Sequence, residues 1–474
     1  MKHKSRFLNS SLFKISFPVI LITGCLGATD TQTLQHMFDK KYTTNKISKK
    51  LFMKQISGLN NEEQDMFLLG RSFFTVPWVE APSATTARDG LGPLFNSNTC
   101  VNCHPNNGIG SIYNKNGNIS RDYVTRLSIP SNGSDKHNEM LKYSGFIQEP
   151  TYGGQISING VYGVKYEAKP LIKYEDILFT YPDGHKVVLK KPLQGVDNQL
   201  KDLQYGKMHK NVILTNRLAP ALVGLGLLEQ LSDAQILSNE DINDCDNDGI
   251  SGKANIVYSA LHKDYRVGRY TYKASSPSVI HQSGAAANND MSLTNPIFQN
   301  ENCTEAQTDC LAAPRGDKRR GDTGFDLPMH RLQAVAFYIS NLKIPKSIVT
   351  QKKGERLFAK ISCTKCHTPS FKLASGYEIK PFTDLLLHDM GEGLSDGRVE
   401  FRALATEWRT APLWSKGKYI NAGKKSIELL HDGRAKTIEE AILWHGGEAS
   451  EIKNNFINLS QTQRQQIIKY IKEL

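Results

Sequence analysis

The sequence predicts a mainly α-helical chain of two domains, with a small β insertion in the first. Three observations lead there. Two copies of Cys-x-x-Cys-His, Cys100-Val101-Asn102-Cys103-His104 and Cys363-Thr364-Lys365-Cys366-His367, divide the chain. Helical apolar patterns run over Met66 to Leu69, Leu327 to Leu342 and Gln461 to Leu474. Only residues 150–190 alternate at strand period around glycine turns. At 474 residues the chain is too long for one ordinary core.

Residues 1–24 read as an export signal. Lys2, Lys4, Arg6 and Lys14 make a positive start, and the apolar run Ile15 to Ile22 is too short to span a bilayer. Ile22-Thr23-Gly24-Cys25 resembles a bacterial lipobox, in which the signal is cut before Cys25 and Cys25 is lipidated. Leu26 follows, where an Asp would hold the product at the inner membrane. The expected location is the periplasm or cell envelope, at the outer membrane, with the lipid anchor as the only membrane attachment. Removing residues 1–24 takes away four Lys/Arg and no acid, so the net charge falls from +12 to +8. These charges are spread along the chain without a basic stripe or finger motif, which argues against nucleic acid. Residues 25–56 are polar and Lys-rich and read as a tether with a helical turn or two.

A helix opens at Asn61-Glu62-Glu63-Gln64 and leads to the first Cys-x-x-Cys-His. Two thiols three residues apart on one helical turn can each form a thioether to one vinyl group of the same porphyrin. The next residue, His, then lies under the iron. A dithiol redox motif has no need of that His, and a zinc site wants a second cysteine pair close by. Two copies in an exported chain predict two haem c groups. Cys100, Cys103, Cys363 and Cys366 would carry them, and His104 and His367 would be the proximal ligands. Each domain is therefore expected to be cytochrome c-like: residues 57–345 with the β insertion, and residues 346–474 as a compact C-terminal domain. Of the 8 cysteines, Cys245, Cys303 and Cys310 remain. Cys303 and Cys310 suit a disulfide in an oxidising compartment, although Cys245 could pair with either.

Within the insertion, Ile177 to Tyr181, the turn Pro182-Asp183-Gly184, and Lys186 to Leu189 read as a β-hairpin. Asp244, Asp246 and Asp248 before Gly249 look like the first half of a calcium loop, so Ca²⁺ is a candidate ion. Asn255 stands where a full EF-hand would need Glu, and a polar turn rich in Asp and Asn explains the pattern equally well. Residues 275–325 are rich in Ser, Asn, Gly and Thr and read as a long loop.

Several ordered motifs resemble the bacterial di-haem c-type oxidoreductase family, whose members are described as peroxidases or thiol oxidoreductases. They include Arg88-Asp89-Gly90-Leu91-Gly92-Pro93-Leu94-Phe95-Asn96, Leu386-Leu387-His388-Asp389-Met390-Gly391 and Glu407-Trp408-Arg409-Thr410-Ala411-Pro412-Leu413-Trp414. Leu430-His431-Asp432-Gly433-Arg434-Ala435 and Trp444-His445-Gly446-Gly447-Glu448 complete the set, and the resemblance covers roughly residues 57 to 474. The C-terminal run from His431 to Glu440 is more distantly similar to di-haem cytochrome c peroxidases. In those enzymes a Met-Gly pair supplies the sixth ligand of the electron-transfer haem. Here the corresponding pair is His445-Gly446, which makes His445 a distal candidate and implies a lower potential. Met390, in a glycine-containing loop, is its rival.

The first haem has no such partner in the sequence. His209 is one distal candidate, beside Met208, His262 and His281, and an open position is another. Each is more often a structural residue than a ligand. Peroxide chemistry needs access to the iron and a distal acid/base, for which Glu229 is the candidate; its plain alternative is a carboxylate at a helix end. Trp408, Trp414 and Trp444 suit either core packing or electron relay, and Arg409 and Arg434 are candidates for haem propionates. The expected function is peroxide reduction at the N-terminal haem, with electrons passed through the C-terminal haem from a small redox protein or diffusible donor. A pure electron-transfer cytochrome and an oxidase of a thiol or protein partner are the alternatives.

Overall fold

The computed structural model describes residues 28–46, 48–85, 87–316, 324–419 and 427–474. The export signal and Cys25 lie outside the described residues. Eight helices frame the site: α1 (Ala28–Tyr42), α2 (Asn61–Thr75), α3 (Cys100–Cys103), α4 (Val279–Met291), α5 (Met329–Ser340), α6 (Lys352–Lys360), α7 (Ile438–Leu443) and α8 (Gln461–Glu473). The helix expected from Asn61 starts on a capping box. Asn60 accepts from the Glu63 backbone N–H, and the Glu63 side chain accepts from that of Asn60. α2 crosses α5 at Gly70, where a Cβ would run into the Ala334 carbonyl and the Tyr338 side chain. Phe67 and Phe74 close the same contact, with ring centroids 4.9 and 5.3 Å from that of Tyr338.

The mainly α expectation is corrected by the structure, which has 31% helix and 18% strand. Every sheet among the described residues is a two-stranded pair. The strands that matter here are β1 (Tyr123–Ser128), β2 (Tyr174–Thr180), β3 (Lys186–Pro192), β4 (Ile213–Leu218), β5 (Leu387–Asp389) and β6 (Glu407–Arg409). The β2–β3 hairpin is the one the sequence predicts, with Thr180 opposite Lys186. The β1–β4 ladder pairs Tyr123 with Leu218 and Ser128 with Ile213. Both strands carry β-branched residues, but they lie far apart in the chain. A pattern read within one window cannot show a partner so distant. The cysteine motifs themselves form single turns, α3 and a 3-10 turn at Cys363–Lys365.

The described residues also do not resolve into two separate cytochrome c-like bodies. The main core begins at Leu51 and Phe52 and takes in Leu385, Leu386, Trp414 and Tyr419. A second core joins Tyr181 and Leu189, from the hairpin, to Phe358, Trp444, Phe456 and Ile467. The hairpin expected as an insertion in the first domain thus covers apolar surface of the C-terminal helices.

Two local readings also change. The tether region holds α1, fixed by Phe38 and Tyr42 stacking on Tyr377 at 4.9 and 5.5 Å. The segment read as a long loop contains α4. Ser278 caps it by accepting from the His281 backbone N–H, and Ala285, Ala286 and Ala287 carry high helix propensity with little hydrophobic signal.

Candidate di-haem site

Thr99 caps α3 by accepting from the Asn102 backbone N–H, which sets Cys100, Cys103 and His104 on one turn. Both thiols are unpaired. Nδ1 of His104 lies 2.9 Å from the Pro220 carbonyl oxygen. A carbonyl only accepts, so Nδ1 carries the proton and Nε2 keeps its lone pair. Burial pushes His104 down to about 4, which leaves the neutral imidazole that a metal binds.

The second motif repeats the arrangement. Cys363 and Cys366 are unpaired, and Nδ1 of His367 lies 3.0 Å from the Phe382 carbonyl oxygen. Burial brings His367 to about 4, with a smaller push from His445. His445 follows α7, and its Nδ1 lies 2.7 Å from the Ala441 carbonyl. Its Nε2 is therefore also free to donate a lone pair, and burial holds the ring neutral. By surface area all three histidines are half-buried.

Family comparison agrees with this geometry: the family described as "Di-haem oxidoreductase, putative peroxidase" matches residues 39–474. The chain belongs to the di-haem oxidoreductase family. Membership implies haem cofactors, and the donor set fits them: two pairs of free thiols, each followed by an imidazole with Nε2 available. Trp444 adds a buried Nε1–H with no hydrogen-bond partner, next in sequence to His445. No curated protein matches this di-haem oxidoreductase. A solved structure titled "Kuenenia stuttgartiensis Hydrazine Synthase Pressurized with 20 bar Xenon" aligns at 22% identity and a TM-score of 0.22. The alignment covers 31% of this chain and 55% of that one, and carries no weight here.

The other candidates of this di-haem oxidoreductase spread over the fold. Met390 follows β5, and a Cβ on Gly446 would come within 2.8 Å of the Met390 carbonyl, so the Met390 and His445 loops touch. His209 lies elsewhere: its backbone N–H donates to Glu149, and the adjacent Met208 packs in a satellite cluster around Leu127 and Tyr152. His281 sits on α4 with Nδ1 3.1 Å from the Ser276 hydroxyl. Glu229 accepts from the Val279 backbone N–H at 2.9 Å and so caps α4, while burial raises its carboxyl.

In the acidic loop, Asp244 accepts from the backbone N–H groups of Asp248 and Gly249. The carboxylate of Asp248 turns to Lys365 of the second motif, and those of Asp241, Asp244 and Asp246 converge. Cys303 and Cys310 form a disulfide, and Cys245 is an exposed free thiol.

Sequence reasoning missed three groups near the motifs. An apolar hollow beside Cys100 is lined by Phe73, Trp78, Ala287, Met291, Leu293 and Leu327. A larger, open hollow near Asp183 and Ser460 is lined by none of the motif residues. Asp290 of α4 lies close enough to act on both Cys100 and Cys103, and burial raises its carboxyl while Gln155 donates to it at 2.7 Å. Its signal was the helical spacing Ser283, Ala287, Asp290, hidden in a stretch read as loop. His388 is clamped between Asp384 and Glu448, each at 2.8 Å, beside Cys366.

Proposed function

We propose that this di-haem oxidoreductase is an envelope-located c-type enzyme that reduces peroxide at the N-terminal centre, with electrons arriving by way of the C-terminal centre. A bound haem supplies a redox-active iron at each motif and, where a coordination position is open, a place for H₂O₂. One observation carries the reading: the two motifs face different surroundings. The second has His445 within electrostatic reach of His367, with a free Nε2. The first borders a hollow whose lining holds no histidine.

The chain's own groups suit this division. Pro220 and Phe382 orient the two proximal rings through their carbonyls. Phe73, Trp78 and Leu293 exclude bulk water from the space beside Cys100. Glu229 and Asp290 stand at opposite ends of α4, whose Ser283, Ala287 and Met291 line that space. Burial raises both carboxyls above their ordinary values, the direction that favours a carboxyl holding its proton. Thioether attachment through the four motif cysteines, lipidation at Cys25 and a small external electron donor belong to the same proposal. Among the described residues no helix is long and apolar enough to cross a membrane.

Met291 favours a second reading, because a thioether in the hollow is a potential iron ligand. The protein would then be a pure electron-transfer cytochrome. Optical and EPR spectra of the purified holoprotein separate the two. A high-spin ferric signal that shifts on adding H₂O₂, with peroxide turnover, supports the peroxidase. Two low-spin haems in both redox states and no turnover overturn it.

A further inference from the structure

Residues 40–60 hold six lysines and no acid: Lys40, Lys41, Lys46, Lys49, Lys50 and Lys54. Tertiary structure brings two more to them. The short parallel pair of Thr43–Thr44 with Ile344–Pro345 lays residues 343–346 along this stretch. Nζ of Lys343 donates to the Lys40 carbonyl at 3.0 Å, across 303 residues of chain, and its backbone N–H donates to the Lys54 carbonyl at 2.7 Å. The Lys346 backbone N–H donates to the Thr44 carbonyl at 3.0 Å, and the Ser57 backbone N–H to the Lys41 carbonyl at 3.0 Å. Among residues 39–60 and 341–353 Asp39 is the one acid. It lies 3.6 Å from Nζ of Lys346 and accepts from the Tyr377 hydroxyl at 3.2 Å. Glu378, beside α1, turns its carboxylate to Ser370 and Lys380. Among the described residues none of the six lysines is in an ion pair, and Lys40, Lys46, Lys49 and Lys50 are exposed.

The cluster begins at the C-terminal end of α1, and the other end of that helix points back to Cys25. Only three residues separate Cys25 from Ala28, a reach of at most about 10 Å. α1 is itself docked on the fold. The Gln35 side chain donates to the Glu378 carbonyl at 3.0 Å and accepts from the Glu378 backbone N–H at 3.1 Å, beside the Tyr377 stack. A lipid on Cys25 therefore holds this side of the protein close to the bilayer and not at the end of a long leash. Leu34 and Met37, 39% and 62% exposed, share one stripe of α1 with Lys41, at i, i+3 and i+7. The stripe is apolar toward the anchored end and cationic toward the other, the layout of a helix that lies in a membrane interface.

We propose that this lysine cluster is a docking surface for anionic phospholipid headgroups, which lays α1 along the membrane beside the Cys25 anchor. The inference rests on lipidation at Cys25 and adds an electrostatic contact to an anchor that the sequence presents as the sole attachment. A lysine near an anionic surface raises the binding constant about fivefold, and the attraction fades beyond a Debye length, ~8 Å at physiological salt. The anchor decides between a membrane and an acidic protein as the occupant, because it keeps this face at the bilayer.

The test uses the mature holoprotein with Cys25→Ser, exported behind a signal that adds no lipid, so that only the protein surface binds. Its sedimentation is measured with vesicles of equal parts phosphatidylglycerol and phosphatidylcholine, and with phosphatidylcholine alone. The expected result is binding to the mixed vesicles only, lost at about 1 M salt, where the Debye length is ~3 Å. Replacing Lys40, Lys46, Lys49 and Lys50 together by Gln should weaken that binding at least about tenfold. Replacing Lys115, Lys136, Lys207 and Lys263 by Gln removes the same charge elsewhere on the surface and should leave binding close to the parent's. Equal loss in both sets assigns the effect to net charge and overturns the docking surface, as does equal binding to both vesicle types. Unchanged vesicle binding with slower reduction by an acidic donor protein gives the lysines to a protein partner and also overturns it. If the fourfold variant does not fold, Lys49→Gln with Lys50→Gln decides alone. Mass spectrometry of the wild-type protein tests the anchor separately: an unacylated Cys25 overturns that reading, while the vesicle result still decides the surface.

Discussion

The indole of Trp408 lies flat against the imidazole of His431, with ring centroids 3.8 Å apart and planes 6° from parallel. Lys273 and Arg217 approach the same indole at 4.1 and 4.7 Å. Burial, and then the charge of Arg217, push His431 well below its usual range, so the stacked imidazole is neutral. Two cations over an indole raise the energy of its oxidised form. Trp408 therefore serves packing, and its Nε1–H is satisfied by the Leu394 carbonyl at 3.1 Å.

Trp408→Phe tests this. The variant keeps an aromatic ring on His431 but loses one hydrogen bond and part of the buried indole's volume, so unfolding stability should fall by about 1–3 kcal/mol. Electron transfer between the two centres, followed by stopped-flow reduction, should be unchanged. A large slowing in a stable Trp408→Phe protein would restore the relay role.

The second iron's sixth ligand is decided by comparing His445→Ala with Met390→Ala. The free Nε2 of His445 predicts that its loss converts one haem from low-spin to high-spin in the EPR spectrum. Met390→Ala should leave the spectrum intact. The reverse pattern would give the position to the thioether.

Gly447 has φ +53°, and a Cβ there would strike the Asp389 carbonyl. Gly447→Ala must therefore displace the loop carrying His445 or that carrying Met390. The expected cost is about 1–3 kcal/mol, read as a lower melting temperature, together with an altered spectrum of one haem only. An unperturbed spectrum would show that neither loop supports an iron.

The acid sensitivity of the fold has a specific source in Glu400. Burial alone would raise its carboxyl, but Arg398, at 3.0 Å, and Arg217 hold it down to about 2. A carboxyl depressed on folding contributes stability that is complete above its unfolded value, near 4.5, and is lost as pH falls through the folded value. Glu400→Gln should therefore cost about 3–5 kcal/mol at pH 7, and the gap to wild type should close between pH 4.5 and 2 in denaturant unfolding. A gap that stays constant with pH would show that the loss is one of packing and not of charge.

Much of the site was legible because its chemistry is local. The capping box at Asn60 and Glu63, the hairpin from Ile177 to Leu189 and both Cys-x-x-Cys-His turns are written within a few residues each. What misled was hydrophobic period. It passes over α4, which buries small and polar residues such as Ser283, Gly284, Ala287 and Asn288, and it cannot pair β1 with β4.

The sequence by itself determined family membership and the placement of two thiols and an imidazole on each single turn, since that spacing is set by the backbone alone. Tertiary structure decided what each turn meets. The carbonyl that orients His104 comes from Pro220, 116 residues away, and Asp290 approaches Cys100 from another remote segment. The reason is physical. A ligand's identity belongs to the residue. Its free lone pair, its burial and its nearest charge belong to whichever segments fold against it.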